Sequence, residues 1–259
     1  MPYGTAEEKK KIIFIALSIL LICVTSFFVY MIYDKGKTYS FDGQNLTIYK
    51  DKFFHSDEKY KFEESPYLKS VVIQDGVEMV PHDSFRKCEN LESVSVGRVE
   101  YIDMGAFELC TNLKNVTLSE GISMIHMSVF GQCSSLESIN IPDSVTDIVQ
   151  YAFEACTGLE KIALPDNLNS IGNGAFAACE KMSEINLPEN LTHIGDSAFS
   201  SCKNIKSITI PKSVSHIGQS AFYNWTSEQT IYIQGRSEAP STWNKEWQKN
   251  CSAKIVWNA

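Results

Sequence analysis

The chain of 259 residues is 44% hydrophobic and 21% charged, too apolar for a mainly disordered polymer and long enough for one or two ordered domains. Its 14 Gly and 8 Pro exclude a collagen-like or Pro-rich polymer. Formal net charge is -8, and beyond residue 37 there are 28 acidic against 18 basic side chains, a bias that repels phosphate backbones and excludes nucleic-acid binding as the main role.

In chain order, residues 1–11 read as a cytoplasmic N-terminus and residues 12–33 (IIFIALSILLICVTSFFVYMIY) as a transmembrane signal-anchor helix. At ~1.5 Å rise per residue this uncharged run reaches roughly 33 Å, enough for a hydrocarbon core of about 30 Å. Tyr30 and Tyr33 suit the interfacial aromatic belt, and Lys9, Lys10 and Lys11 against Lys35 and Lys37 favour a single-pass protein with everything after residue 37 outside. The alternative is secretion after signal cleavage near Val24 and Ser26, although that leaves seven further apolar residues on the new N-terminus. Residues 34–61 are more polar, carry a short alternating strand around Leu46 to Tyr49, and read as a stalk and N-terminal cap.

Residues 62–235 repeat. Phe85, Phe107, Phe130, Phe153, Phe176, Phe199 and Phe222 are separated by steps of 22 and then 23 residues. Three residues after each comes a cysteine (Cys88, Cys110, Cys133, Cys156, Cys179, Cys202), with Trp225 closing the series. Period-two pairs such as Val94/Val96, Ile139/Ile141 and Ile208/Ile210 follow, then a second apolar pair such as Leu191/Ile194 before the next Phe. In I-x-L the two apolar side chains face one side of a strand. A unit this short cannot close a core alone, so units must stack, strand beside strand, into a parallel sheet. Pro142, Pro165, Pro188 and Pro211 end four of these strands. The A-F-x-x-C segment is too short for an independent helix and predicts one helical turn on the opposite wall.

SCKNIKSITIPKSVSHIGQSAF (201–222) and ACEKMSEINLPENLTHIGDSAF (178–199) resemble the BspA-like (Treponema-type) class of leucine-rich repeat. The resemblance implies an α/β solenoid. It would be a right-handed superhelix with a parallel β-sheet on its concave face and short helical turns on its convex face, here added to one N-terminal transmembrane helix. It also implies a cell-surface or secreted protein, often concerned with adhesion or host interaction, and no enzyme activity. Early repeats depart from the pattern: Asp103, His126 and Val149 stand where later units have Gly172, Gly195 and Gly218. If that glycine needs a positive φ, β-branched Val149 fits the site poorly.

Residues 236–259 read as a C-terminal cap, with Trp243 and Trp247 at i,i+4 on one helix face and KIVW (254–257) adding a last strand. Glu228 replaces the repeat leucine and marks the end of the array. The six registered cysteines read as a buried, reduced ladder, with disulfides between adjacent rungs as the alternative. GNGAFA at 172–177 mimics a dinucleotide fingerprint, but GDSAFS and GQSAFY hold the same register, so it is a repeat variant. His193 and His216 lie one repeat apart without a third ligand and read as a solvated pair. No cofactor, metal site or small-molecule substrate is expected, and no catalytic grouping converges.

A partner would meet the outward residue of each I-x-L: Ser95, Thr117, Asn140, Ala163, Asn186, Thr209 and Tyr232. This ladder is small and polar, fit for a weak, wide contact with a protein or cell-surface ligand. The alternative is a structural or regulatory membrane subunit whose solenoid is a spacer while its span and stalk engage partners.

Overall fold

The computed structural model describes residues 38–56 and 62–259; the predicted span, residues 12–33, lies outside them. Among the described residues, ten strands build one wall. They are β1 (Tyr39–Phe41), β2 (Asn45–Ile48), β3 (Ser70–Ile73), β5 (Ser93–Val96), β7 (Asn115–Leu118), β9 (Ser138–Asn140), β11 (Lys161–Ala163), β14 (Ser207–Ile210), β16 (Thr230–Ile233) and β17 (Lys254–Trp257). Seven two-residue strands build a second: β4 (Met79–Val80), β6 (Tyr101–Ile102), β8 (Met124–Ile125), β10 (Asp147–Ile148), β12 (Ser170–Ile171), β13 (His193–Ile194) and β15 (His216–Ile217). The chain winds through both walls in about nine turns.

Apart from the antiparallel β1–β2 hairpin, all strand pairs are parallel and keep the repeat register, Val71 opposite Val94 opposite Val116 and Ile139 opposite Ile162. Alternation decides which side is sealed: Val94 and Val96 are buried while Ser93 and Ser95 look outward. The long-strand wall is interrupted twice, between β7 and β9 and at residues 184–187, where one bridge from Lys161 to Glu184 stands in for a strand.

The third wall corrects the expected α/β class. The A-F-x-x-C segments are overlapping β-turns, and the described residues hold one helical element, a 3-10 turn at Asp51–Phe53; none of their helices is long and apolar enough to cross a membrane. The molecule is a β-solenoid. Residues two before and two after each Phe take the left-handed conformation, with φ between 53 and 64° at Asp83, Lys87, Gly105, Leu109, Tyr151, Ala155 and their equivalents. A helix needs φ near −60° throughout. The N–H groups of Tyr151, Phe153 and Ala155 instead donate to the carbonyls of Asn173, Ala175 and Ala177 one rung on, while Cys156 N–H closes a tight turn onto Phe153. This third ladder offsets the cost of the left-handed residues.

The condition raised for the repeat glycines is not met. Gly172, Gly195 and Gly218 do not have positive φ. They are small because the rung beneath is close: a Cβ on Gly195 would lie 2.5 Å from the backbone nitrogen of Asn173.

Inside, Phe85 to Phe222 form a fully buried stack with centroids 5.3 to 5.8 Å apart and planes within 15°. The offset-stacked geometry follows from the rung spacing of about 4.8 Å. At the N-terminal end Phe54 meets Phe85 edge-on at 6.4 Å, and behind it Tyr39, Phe41, Phe53 and Phe62 pack edge-on against one another at 5.0 to 6.1 Å. At the other end Trp243 and Trp247 are buried and meet edge-on at 5.3 Å, carried by turns and not by the predicted helix. β17 lies parallel to β16 and ends the sheet.

Candidate recognition surface

Strand pairing sets the outward residues side by side. Ser95 stands opposite Thr117, Asn140 opposite Ala163, and Thr209 opposite Tyr232. The interruption between β7 and β9 parts Thr117 from Asn140, and the gap after residue 187 parts Asn186 from Thr209. Thr117, Asn140, Asn186 and Thr209 are exposed, Ser95 is half-buried, and Tyr232 is the one large side chain of the column at 36% exposure. At the second gap a shallow cavity of about 580 Å³ is lined by Ser183, Glu184, Asn186, Lys206, Ser207 and Thr209 among others. Asn186 Nδ2 donates to Glu184 Oε1 there at 3.4 Å. The surface offers hydrogen-bond donors and acceptors with both signs of charge, and little apolar area.

The thiols are sealed away from it. All seven described cysteines are free, and the six in register are buried. Each donates its S–H to the carbonyl of a phenylalanine one rung back, from Cys88 to Phe62 at 2.9 Å through Cys202 to Phe176 at 3.1 Å. Trp225 Nε1 makes the same bond to Phe199 O at 2.8 Å, which explains why an indole closes the series. Burial pushes the thiols of Cys88, Cys156 and Cys202 up to about 12, and those of Cys110, Cys133 and Cys179 well above the ordinary range. Neutral at physiological pH, they are donors and not nucleophiles.

The fixed step from Phe to Cys predicts this buried thiol ladder, and the structure has it; what sequence reasoning missed is the S–H bond that each thiol gives to a carbonyl one rung back. It also missed Gln229. Where Glu228 leaves the core, the Gln229 amide is buried and donates to Cys202 O and Ile205 O at 3.1 and 2.8 Å. His193 and His216 are paired across β13 and β15, ring centroids 5.7 Å apart and exposed. Among the described residues no group of three or more His, Cys, Asp or Glu could hold a metal ion. A further omission is the outer face of the second wall, where Met79, Tyr101 and Met124 occupy successive rungs.

The BspA type leucine rich repeat region model matches in six copies over residues 37–160 and 146–251. No curated protein matches this chain. Among solved structures it is similar to the T. pallidum leucine rich repeat protein at 21% identity, covering 78% of this chain and 80% of that one with a TM-score of 0.49. It is also similar to a leucine rich cell surface protein from Faecalibacterium prausnitzii, at 19% identity, with 88% and 95% coverage and a TM-score of 0.43. For a leucine-rich repeat protein from Bacteroides ovatus the figures are 23% identity, 88% and 69% coverage, and a TM-score of 0.44.

Proposed function

Since the chain belongs to the BspA type leucine-rich-repeat family, we propose that it is a non-catalytic scaffold for protein recognition, displayed at a cell surface and acting in adhesion-type contacts. The observation that carries this reading is the division of labour within each strand. Inward residues such as Ile208 and Ile210 hold the stack, while outward ones such as Ser207 and Thr209 are free of structural duty and exposed. Within each unbroken run of strands, successive rungs present them at a spacing of about 4.8 Å. A partner would meet the column of Ser95, Thr117, Asn140, Asn186, Thr209 and Tyr232 through many weak hydrogen bonds. Such a surface gains strength when copies act together on one membrane. The sealed thiols support a non-catalytic role, since their chemistry is spent on the core.

Proximity labelling from the full chain on its native cells tests the reading. A chain carrying Thr117→Arg, Asn140→Arg and Thr209→Arg, with an unchanged melting curve, should lose the labelled neighbours of the wild type by about tenfold. Identical labelling by the two chains would refute it.

A further inference from the structure

The second wall changes character along its length. Aligned rung by rung, its outward position is Met79, Tyr101 and Met124, then Asp147, Ser170, His193 and His216. The stack does not require the large residues. Val80, Ile102 and Ile125 beside them carry the packing and are buried, and the later rungs stand equally well on serine and histidine. At the adjoining corner Met104 and Tyr151 are 48% and 41% exposed. Met79, Tyr101 and Met124 are half-buried. Tyr101 Oη donates to Met79 Sδ at 2.9 Å, and at the corner Gln150 Nε2 donates to Met127 Sδ at 3.4 Å, so thioether and aromatic groups recur on these rungs across the break between β6 and β8. Methionine and tyrosine are the side chains that protein interfaces favour, and methionine adapts its shape to what it meets.

The rim of this surface is mainly acidic. Residues 77–84, 99–106, 122–129 and 145–152 contain Glu78, Asp83, Glu100, Asp103 and Asp147 and no lysine or arginine, beside His82 and His126, with Arg98 just outside against Gly121. The cation nearest Asp83, Arg86 at 3.9 Å, is engaged by Glu108 at 2.5 Å. An apolar strip edged by carboxylates is complementary to an apolar strip edged by cations. A second copy of this chain would bring the same carboxylates against themselves, and an anionic lipid surface would be repelled.

We propose that the outer face of the second wall, over its first four rungs, docks a protein segment that is apolar on one side and rich in lysine or arginine on the other. The proposal rests on the reading of the chain as a recognition scaffold, but not on the long-strand face.

The test uses the full chain and a fluorescein-labelled synthetic peptide of about 15 residues, leucine on one helical face and lysine on the other, beside a twin with every lysine changed to glutamate. Fluorescence anisotropy should show saturable binding of the lysine peptide and at least about tenfold weaker binding of its twin. Met124→Ser with Tyr151→Ser, and separately Glu100→Lys, should each weaken binding about tenfold, whereas Thr117→Arg with Asn140→Arg should not change it. Tyr151 and Glu100 are exposed and Met124 is half-buried, and a thermal melt verifies that these variants keep the fold. Equal binding of the twins, indifference to the second-wall variants, or no binding of either peptide overturns the site. Loss confined to Thr117→Arg with Asn140→Arg overturns it too, while leaving the scaffold reading intact. Sedimentation showing a wild-type dimer that the same second-wall variants dissociate would replace the basic segment by a second copy, and the proposal falls.

Discussion

A cysteine in this fold does what a backbone amide does elsewhere: it gives a hydrogen to a carbonyl in the neighbouring rung. Phe130 O accepts the N–H of Cys133 at 3.2 Å and the S–H of Cys156 at 3.0 Å, so its second lone pair depends on the thiol. Cys156→Ala removes that bond and opens a small cavity, and should lower stability by about 1–2 kcal/mol. An unmoved urea midpoint would show that the sulfur is only filler. The same thiols give the protein an alkaline limit. Burial raises the folded-state value of Cys156 from the ordinary 9.0 to about 12, so between those limits the folded state binds a proton that the unfolded state has released. The stabilisation is therefore whole below pH 9 and declines as pH rises toward 12, by up to about 1.4 kcal/mol per pH unit for each thiol. Chemical unfolding should give a flat stability below about pH 8 and a steep fall above 9, less steep in the Cys156→Ala chain. A profile as steep as the wild type in that variant would remove the thiols as the cause.

The element scale is where sequence and structure part. Strands were legible because Val94/Val96 and Ile208/Ile210 alternate with polar residues, and burial follows alternation directly. The turn wall was not. Of its left-handed positions only Gly105, Gly174 and Asn224 carry the glycine or asparagine that advertises a positive φ; the others hold residues such as Lys87, Leu109, Gln132, Tyr151 and Ala155. Inter-rung hydrogen bonds impose that conformation, and bonds to a residue 22 or more places away leave no local signal. The glycines misled for the opposite reason: Gly195 answers a close approach to Asn173, which requires the stacked neighbour to be seen. Of the candidate surface, the outward column of I-x-L could be read from alternation alone, whereas the two interruptions and the Met79, Tyr101 and Met124 face emerge only once the short strands are in register. A contrast between two sites tests the close approach. Gly195→Ala should cost about 2–3 kcal/mol by forcing two rungs apart, while Val149→Ala, at the equivalent place where a side chain is already accommodated, should stay within about 1 kcal/mol. Equal urea midpoints for the two variants would discard close approach as the reason for glycine.

For the whole molecule, stability is a sum over neighbouring rungs, since each apolar layer is covered by the next and by little else. The two ends then differ from the middle only in what covers them. Phe222 is overlaid by Trp225 and Trp247 at 5.1 and 6.0 Å, and the backbone N–H groups of Ser220 and Asn224 donate to Glu246 and Asn250 of the tail. Ending the chain at residue 235 leaves Trp225 but strips Trp247, Glu246, Asn250 and strand β17 from the last rung. Its hydrogen bonds would open to water, and the loss should pass to the rung beneath, weakening at each step because every deeper rung keeps both neighbours. Hydrogen exchange should therefore show protection lost from β16 and reduced in β14, with β5 and β7 close to their wild-type values. A uniform loss from β3 to β16 would mean that the solenoid folds as one cooperative block. In that case the tail would hold the entire stack, not its last turn, and the rungs could not be treated as independent supports for the surfaces they present.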